Sequence, residues 1–329
     1  MKFLDMLAAI ALSSSLVAAS VIPLYPLRRS DEDPVFNQDF ADPSILQDEN
    51  GTWYAFGTAS NGKQIQVATG GTLYRQWSLL EDIDALPQPG AWTTGRNTWA
   101  PDVHRMSNGK YVMYYSGEVA SNAAFHCIGA AVSDTATGPY IAGDEPFACD
   151  LTIGGSIDPS GFQDADGTRY VLYKIDGNSI GHGGSCGNTV EPIVPTPIML
   201  QEVGDDGVTK IGDSVQIFDR SNDDGPLVEA PSLLRTANGL YILFFSSGCY
   251  LESTYNVNYA TSTSVKGPFQ RAPRPMIRTG EYTLQAPGGA TAVNVGDRVG
   301  IAYHANCPAG RCMHTSQTVV DGREIRVMM

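Results

Sequence analysis

The sequence predicts an all-β chain folded as a five-bladed β-propeller, and three observations carry that expectation. A small or acidic residue followed by proline recurs five times, each time with a glycine-containing turn about eight residues later. An apolar, aromatic segment follows every one of those turns. The prolines stand 58, 58, 72 and 56 residues apart, so five such units consume the mature chain and leave no room for a second domain.

The first unit runs from Asp42-Pro43 to Asn50-Gly51 and returns through Trp53-Tyr54-Ala55-Phe56. The second runs from Ala100-Pro101 to Asn108-Gly109 and returns through Tyr111-Val112-Met113-Tyr114-Tyr115. The third runs from Asp158-Pro159 to Asp166-Gly167, with return segment Tyr170-Val171-Leu172-Tyr173. Ala230-Pro231 to Asn238-Gly239 opens the fourth, which returns through Tyr241-Ile242-Leu243-Phe244-Phe245. The fifth spans Ala286-Pro287 to Gly296-Asp297 and returns through Val299-Gly300-Ile301-Ala302-Tyr303. Asn-Gly and Asp-Gly are the strongest signals for two-residue hairpins, because a type I′ turn needs positive φ at both central residues. Each unit is therefore expected to open with such a hairpin. Gly138-Pro139-Tyr140 and Gly267-Pro268-Phe269 recur 38 and 37 residues after their unit prolines and mark further strands.

Residues 1–20 place Lys2 ahead of a short apolar run that ends in small residues, the pattern of a secretory signal. Arg28-Arg29 offers a dibasic processing site, so residues 21–29 read as a propeptide and 30–329 as one propeller domain. A formal net charge of -14 sets the chain against nucleic acid and anionic membrane surfaces. Six cysteines in an exported chain imply three disulfides. The short loop between Cys307 and Cys312 pairs those two, and proximity in the chain pairs Cys127 with Cys149 and Cys186 with Cys249. A zinc site from His304, Cys307, Cys312 and His314 is the rival, but Cys-x4-Cys is not a usual zinc spacing. Asn50-Gly51-Thr52 is a sequon, with Asn50 as the glycan acceptor.

Proline is tolerated where a strand starts, because its missing N–H is not needed there. If each unit proline opens the innermost strand of its blade, all five starts lie at one mouth of the central channel. The pairs of residues at that mouth are Ala41-Asp42, Trp99-Ala100, Ile157-Asp158, Glu229-Ala230 and Gln285-Ala286. Three of them supply a carboxylate. Asp before Pro is also a common turn former, but three acids at the same phase of a repeat exceed what turns require. Crowded carboxylates in a partly desolvated mouth separate in proton affinity, so one serves as general acid while another stays ionised as general base. Glycosidic bonds are hydrolysed that way. An oxygen-rich ring also suits a bridging Ca²⁺.

Phe40-Ala41-Asp42-Pro43-Ser44-Ile45, Trp99-Ala100-Pro101-Asp102-Val103, Ile157-Asp158-Pro159 and Glu229-Ala230-Pro231-Ser232-Leu233 resemble the signatures of glycoside hydrolase family 43, across essentially the whole mature chain. The resemblance implies an inverting hydrolase of arabinose- or xylose-containing plant cell-wall polysaccharide. It implies Asp42 as general base, Glu229 as general acid, and Asp158 as the residue that tunes the acid and helps position the sugar. Inversion then sets the Asp42 and Glu229 carboxyls roughly 6.5–9.5 Å apart. Phe40, Trp99, Gln285 and His304 are the candidate substrate contacts. His304 resembles an inner fifth-blade histidine that lies near a Ca²⁺ or Na⁺ ion on the channel axis in some members, with a hydrogen-bonded core histidine as the alternative. The chemistry itself needs no cofactor. One departure is Pro287-Gly288-Gly289, where many members carry a histidine after Pro-Gly.

Two further motifs carry less. Asp164-Ala165-Asp166-Gly167 resembles the start of a calcium loop but lacks the downstream acid and coincides with the third turn. Gly181-His182-Gly183-Gly184-Ser185 lacks a strand-to-helix context and reads as a rim loop, which accounts for the extra length of the third unit. The expected activity is removal of L-arabinofuranosyl units from arabinan or arabinoxylan. β-Xylosidase and endo-arabinanase action, or a non-catalytic carbohydrate-binding propeller, are the alternatives.

Overall fold

The computed structural model describes residues 33–296 and 298–328. The expected signal and propeptide lie outside the described residues, as do residues 30–32 and Asp297 of the fifth turn.

Five antiparallel sheets follow one another along the chain. Blade one contains β1 (Ser44–Gln47), β2 (Trp53–Gly57), β3 (Gln66–Thr72) and β4 (Arg75–Leu79). Blade two contains β5 (Trp99–Arg105), β6 (Tyr111–Glu118), β7 (His126–Ser133) and β8 (Ile141–Ala142). Blade three contains β9 (Ser156–Gln163), β10 (Arg169–Ile175), β11 (Ile198–Val203) and β12 (Lys210–Phe218). Blade four contains β13 (Val228–Arg235), β14 (Tyr241–Ser247), β15 (Asn256–Ser262), β16 (Gln270–Arg271) and β17 (Ile277–Arg278). Blade five contains β18 (Gly288–Val295), β19 (Arg298–Cys307), β20 (Gly310–Asp321) and β21 (Glu324–Val327). The first strands β1, β5, β9, β13 and β18 contact one another in a closed ring around the channel. Among the described residues, no helix is long and apolar enough to cross a membrane.

The turns differ from the type I′ expectation. In blade one the Gly51 N–H donates to the Asp48 carbonyl and the Asp48 N–H to the Thr52 carbonyl, both at 2.9 Å. Only Gly51 has positive φ, so the loop is a type I turn closed by a left-handed glycine, with three residues instead of two. Gly109, Gly167 and Gly239 repeat the arrangement. The side-chain oxygens of Asn50, Asn108 and Asp166 each accept the N–H two residues on, at 2.8–2.9 Å. That Asx turn holds the first central residues out of the left-handed region that type I′ demands.

The core is divided between the blades. Five hydrophobic clusters fill the five interfaces, such as Phe56, Val67, Tyr111, Met113 and Tyr115 between blades one and two, and Phe40, Ile45, Trp53, Ala302 and Met313 between blades five and one. The ring is latched by the segment before β1, where the Phe36 N–H donates to the Met313 carbonyl and the Phe40 N–H to the Arg311 carbonyl. The three expected disulfides, Cys127–Cys149, Cys186–Cys249 and Cys307–Cys312, are all formed. No thiolate therefore remains for zinc in the fifth blade. Cys186–Cys249 ties the long blade-three rim loop to blade four.

Candidate active site

The five residues before the unit prolines share one strained conformation. Asp42, Ala100, Asp158, Ala230 and Ala286 all have left-handed backbone, with φ between 42° and 56°. The proline ring disfavours the right-handed helical region for its predecessor, and the left-handed alternative is unfavourable for any residue with a Cβ. In blades two, three and four the strand register slips across this point, so the proline sits in a bulge where its missing donor leaves no gap. The bulge turns the preceding residue towards the channel mouth.

Each strained N–H is captured from outside its own strand. The Thr58 hydroxyl accepts from Ala100 at 2.9 Å, the Ser116 hydroxyl from Asp158 at 3.0 Å, and Nδ1 of His304 from Asp42 at 3.1 Å. The Thr279 hydroxyl accepts from Ala286 at 2.9 Å, while Ser246 accepts from Gly289, three residues beyond Ala286, at 2.9 Å. Thr58, Ser116 and Ser246 stand fifteen residues beyond their blade's proline, near the end of the second strand. In blade three that position is Lys174, which has no acceptor, and the Asp158 carboxylate accepts the Ala230 N–H at 2.9 Å in its place.

Asp42 sits in a cationic corner. Burial alone would raise its carboxyl, but the Arg311 guanidinium 3.6 Å away and a 2.6 Å hydrogen bond from the Thr58 hydroxyl outweigh it and hold the carboxyl below the ordinary aspartate range. Arg311 is itself fixed from the backbone, since its N–H donates to Asp39 at 2.9 Å. Asp158 has the opposite character. Burial first, and then the nearby Glu229 charge, push its carboxyl well above the ordinary value, while Lys174 opposes them. Glu229 is 9% exposed; Lys174 Nζ donates to its Oε2 at 3.1 Å and the Tyr255 hydroxyl to its Oε1 at 2.8 Å. Asp42, Asp158 and the prolines of blades two to four line a cavity of about 30 Å³ in the channel, room for a water molecule. A larger cavity of about 760 Å³ beside blade three contains none of the three carboxylates.

The other candidates divide. Phe40 is not at the mouth: it is fully buried, edge-on to Phe36 in the core between blades five and one, with its ring against Gly57. The structure thus corrects its expected role as a sugar contact, because an aromatic next to a strand start faces the blade interface. Trp99 is half-buried, one face covered by the stacked His126 ring at 3.5 Å between centroids. Gln285 is exposed, and its carbonyl accepts the Asn306 N–H at 2.8 Å. His304 is fully buried, and burial together with Arg311 lowers its pKa to about 3, so the ring is neutral at working pH. Because Nδ1 accepts the Asp42 N–H, the ring proton belongs on Nε2, which is buried without a protein partner. A protonated nitrogen offers no lone pair to a cation. Among the described residues, no group of three or more His, Cys, Asp or Glu side chains is arranged to hold a metal. The donor set does not fit an ion held directly by His304.

Gly289, where many family members carry a histidine, and its neighbour Gly288 are packed tight. A Cβ on Gly288 would lie 1.9 Å from the Tyr255 ring, and one on Gly289, at φ 61°, would lie 2.7 Å from His304 Nδ1. Tyr255 and His304, stacked at 5.9 Å, occupy the space that a side chain there would need. Sequence reasoning missed Lys174, Tyr255 and Arg311. Lys174 had a legible signal in the fifteen-residue phase; Tyr255, just before β15, and Arg311, on β20, lie in stretches that carry no repeat signature.

One mouth of a five-bladed propeller thus gathers three carboxylates, with Asp42 held below the ordinary aspartate range and Asp158 pushed well above it. The chain belongs to glycosyl hydrolases family 43, whose family model matches residues 32–326. It is 27% identical over 287 residues to the extracellular endo-alpha-(1->5)-L-arabinanase 1 of Bacillus subtilis strain 168, covering 82% of each chain. It is 28% identical over 219 residues to the beta-D-galactofuranosidase xynD of Aspergillus niger, covering 60% of this chain and 55% of that one. The endo-arabinase structure from Bacteroides thetaiotaomicron superposes with a TM-score of 0.68 at 21% identity, over 88% of this chain and 98% of that one, and shows the shared fold.

Proposed function

We propose that the protein is a secreted, inverting hydrolase that cleaves L-arabinofuranosyl linkages in arabinan or arabinoxylan. The single observation that supports it best is the split in the mouth, where the Asp42 carboxylate is held ionised and the Asp158 carboxyl, buried beside Glu229, is pushed well above the ordinary range. In this reading Asp42 removes a proton from a water lying over the anomeric carbon. The Glu229 carboxyl gives a proton to the departing oxygen, and the bond from that oxygen to the sugar breaks as the bond to water forms. Asp158 lies beside Glu229 and tunes the acid through its charge. No covalent intermediate is needed.

The names of the relatives favour an endo-acting variant of the same reading, since several are endo-arabinanases. Aryl α-L-arabinofuranoside, aryl β-D-xyloside and linear arabinan, each offered to wild type and Glu229→Gln, test the proposal. Arabinose or arabino-oligosaccharide release by wild type alone, with the inverted anomer first in the proton NMR spectrum, is the expected outcome. Release of xylose only would contradict the substrate, and sugar binding without any hydrolysis would contradict the activity. Export is supported by three disulfides and by extracellular relatives. Mass spectrometry of the secreted protein should find Ser30 as the first residue; a start at Val21 would remove the propeptide.

A further inference from the structure

Lys174 is fully buried, and no other Lys or Arg among the described residues is sealed as completely. Burying a cation is expensive unless it is paired. Its Nζ lies 3.0 Å from Asp176 Oδ1 and 3.1 Å from Glu229 Oε2. The same position in blades one, two and four carries Thr58, Ser116 and Ser246, whose small hydroxyls tie the next blade through a backbone N–H. A hydroxyl would meet the structural need in blade three as well. The lysine leaves that need unmet, and Asp158 meets it by accepting from Ala230, the residue next to Glu229. One exchange thus sets a cation against Glu229 and anchors the Asp158 carboxylate to the backbone beside Glu229.

The two oxygens of Glu229 have unequal neighbours. An ammonium only donates, so the oxygen facing Lys174 stays an acceptor and carries no proton. A phenol hydroxyl donates or accepts, so the oxygen facing Tyr255 tolerates either state. We infer that Lys174 is a positioning residue for the acid step, pinning Oε2 of Glu229 so that Oε1, on the Tyr255 side, is the oxygen that carries and delivers the proton. The other charged or titratable groups around this cluster are Asp176, which faces Lys174; Asp158, which faces both Lys174 and Glu229; and Asp42, across the mouth from Asp158 and Tyr255. His126 stands near Asp176, its proton affinity lowered by burial. The inference rests on the reading of Glu229 as the acid.

The test compares wild type, Lys174→Arg, Lys174→Met and the double variant Lys174→Met/Asp176→Asn, which removes the buried pair together and so protects folding. The substrates are aryl α-L-arabinofuranosides whose phenols differ in acidity. Acid assistance matters for a poor leaving group and little for an acidic phenol. The double variant is expected to lose roughly 10²-fold in kcat/KM on the poor leaving group and only a few-fold on the acidic one, and Lys174→Arg should retain the shallow wild-type dependence. A uniform loss across all phenols, or no loss, would overturn the inference. A turnover-free reading runs in parallel: carbon-13 NMR of the Asp158 carboxyl, assigned by its absence in Asp158→Asn. Removing the Lys174 charge should move that titration to higher pH by about one unit, and an unmoved titration overturns the inference whether or not the protein cleaves arabinofuranosides. Failure of wild type on every substrate contradicts the proposed function instead, which keeps the two failures distinguishable.

Discussion

Asp42 and Asp158 hold the same place in two blades of one repeat. Both precede a proline, both have left-handed backbone, and both have their N–H captured by a neighbouring blade. Their carboxyls nevertheless move in opposite directions, one below and one well above the ordinary range. The backbone repeat therefore fixes position, while the side chains that neighbouring blades bring up to each aspartate fix charge. Beside Asp42 stand Arg311 and Thr58, which outweigh burial; at Asp158 burial and the Glu229 charge win over Lys174 and the hydrogen bond from Ala230. A five-fold scaffold becomes an asymmetric site because unequal side chains occupy equivalent phases.

The largest effect should come from removing either working carboxyl. Glu229→Gln and Asp42→Asn are each expected to lower kcat by about 10²–10⁴-fold with the melting temperature retained; wild-type turnover in either would break the comparison. Arg311→Leu should make Asp42 resemble Asp158. With the cation gone its carboxyl binds a proton more tightly, so the acidic limb of kcat/KM moves to higher pH by about one unit; an unmoved limb would show that Arg311 does not set the charge of Asp42. Asp158→Asn sharpens the other side. Because the folded-state proton affinity of Asp158 is raised, the folded protein binds more protons than the unfolded chain above pH 3.8, and stability falls as pH rises through that window. Asparagine removes this penalty, so urea unfolding at pH 7 should show a gain of about 1 kcal/mol or more that disappears below pH 3.8, together with lost activity. A stability effect of the opposite sign concerns His304. Its pKa falls from 6.5 to about 3 on folding, so the unfolded chain binds more protons between those values and stability drops on acidification. His304→Gln should flatten that slope by up to about 1.4 kcal/mol per pH unit, read from unfolding curves at successive pH values.

Much of this was legible in the sequence because the repeat is written in backbone chemistry. Prolines, glycine turns and aromatic return strands mark five blades, and the phase of Asp42, Asp158 and Glu229 follows from the prolines alone. Turn type was misread, since Asn-Gly also suits a type I turn with a left-handed glycine, and the Asx hydrogen bonds choose between them. The shared strain before each proline was readable only in part: the proline excludes one region without specifying the other. Phe40 was misplaced because adjacency to a site residue in the chain says nothing about which side of a strand start a ring faces. Arg311 reaches Asp42 from the opposite end of the chain through ring closure, a contact with no local signature.

The opposed behaviour of the two aspartates is the centre of the account, and their titration in wild type tests it most directly. Carbon-13 NMR of aspartate-labelled protein, with Asp42→Asn and Asp158→Asn to assign the two resonances, should show Asp42 titrating below 3.8 and Asp158 well above it. Two carboxyls titrating together near 3.8 would contradict the split on which the proposed acid–base chemistry depends.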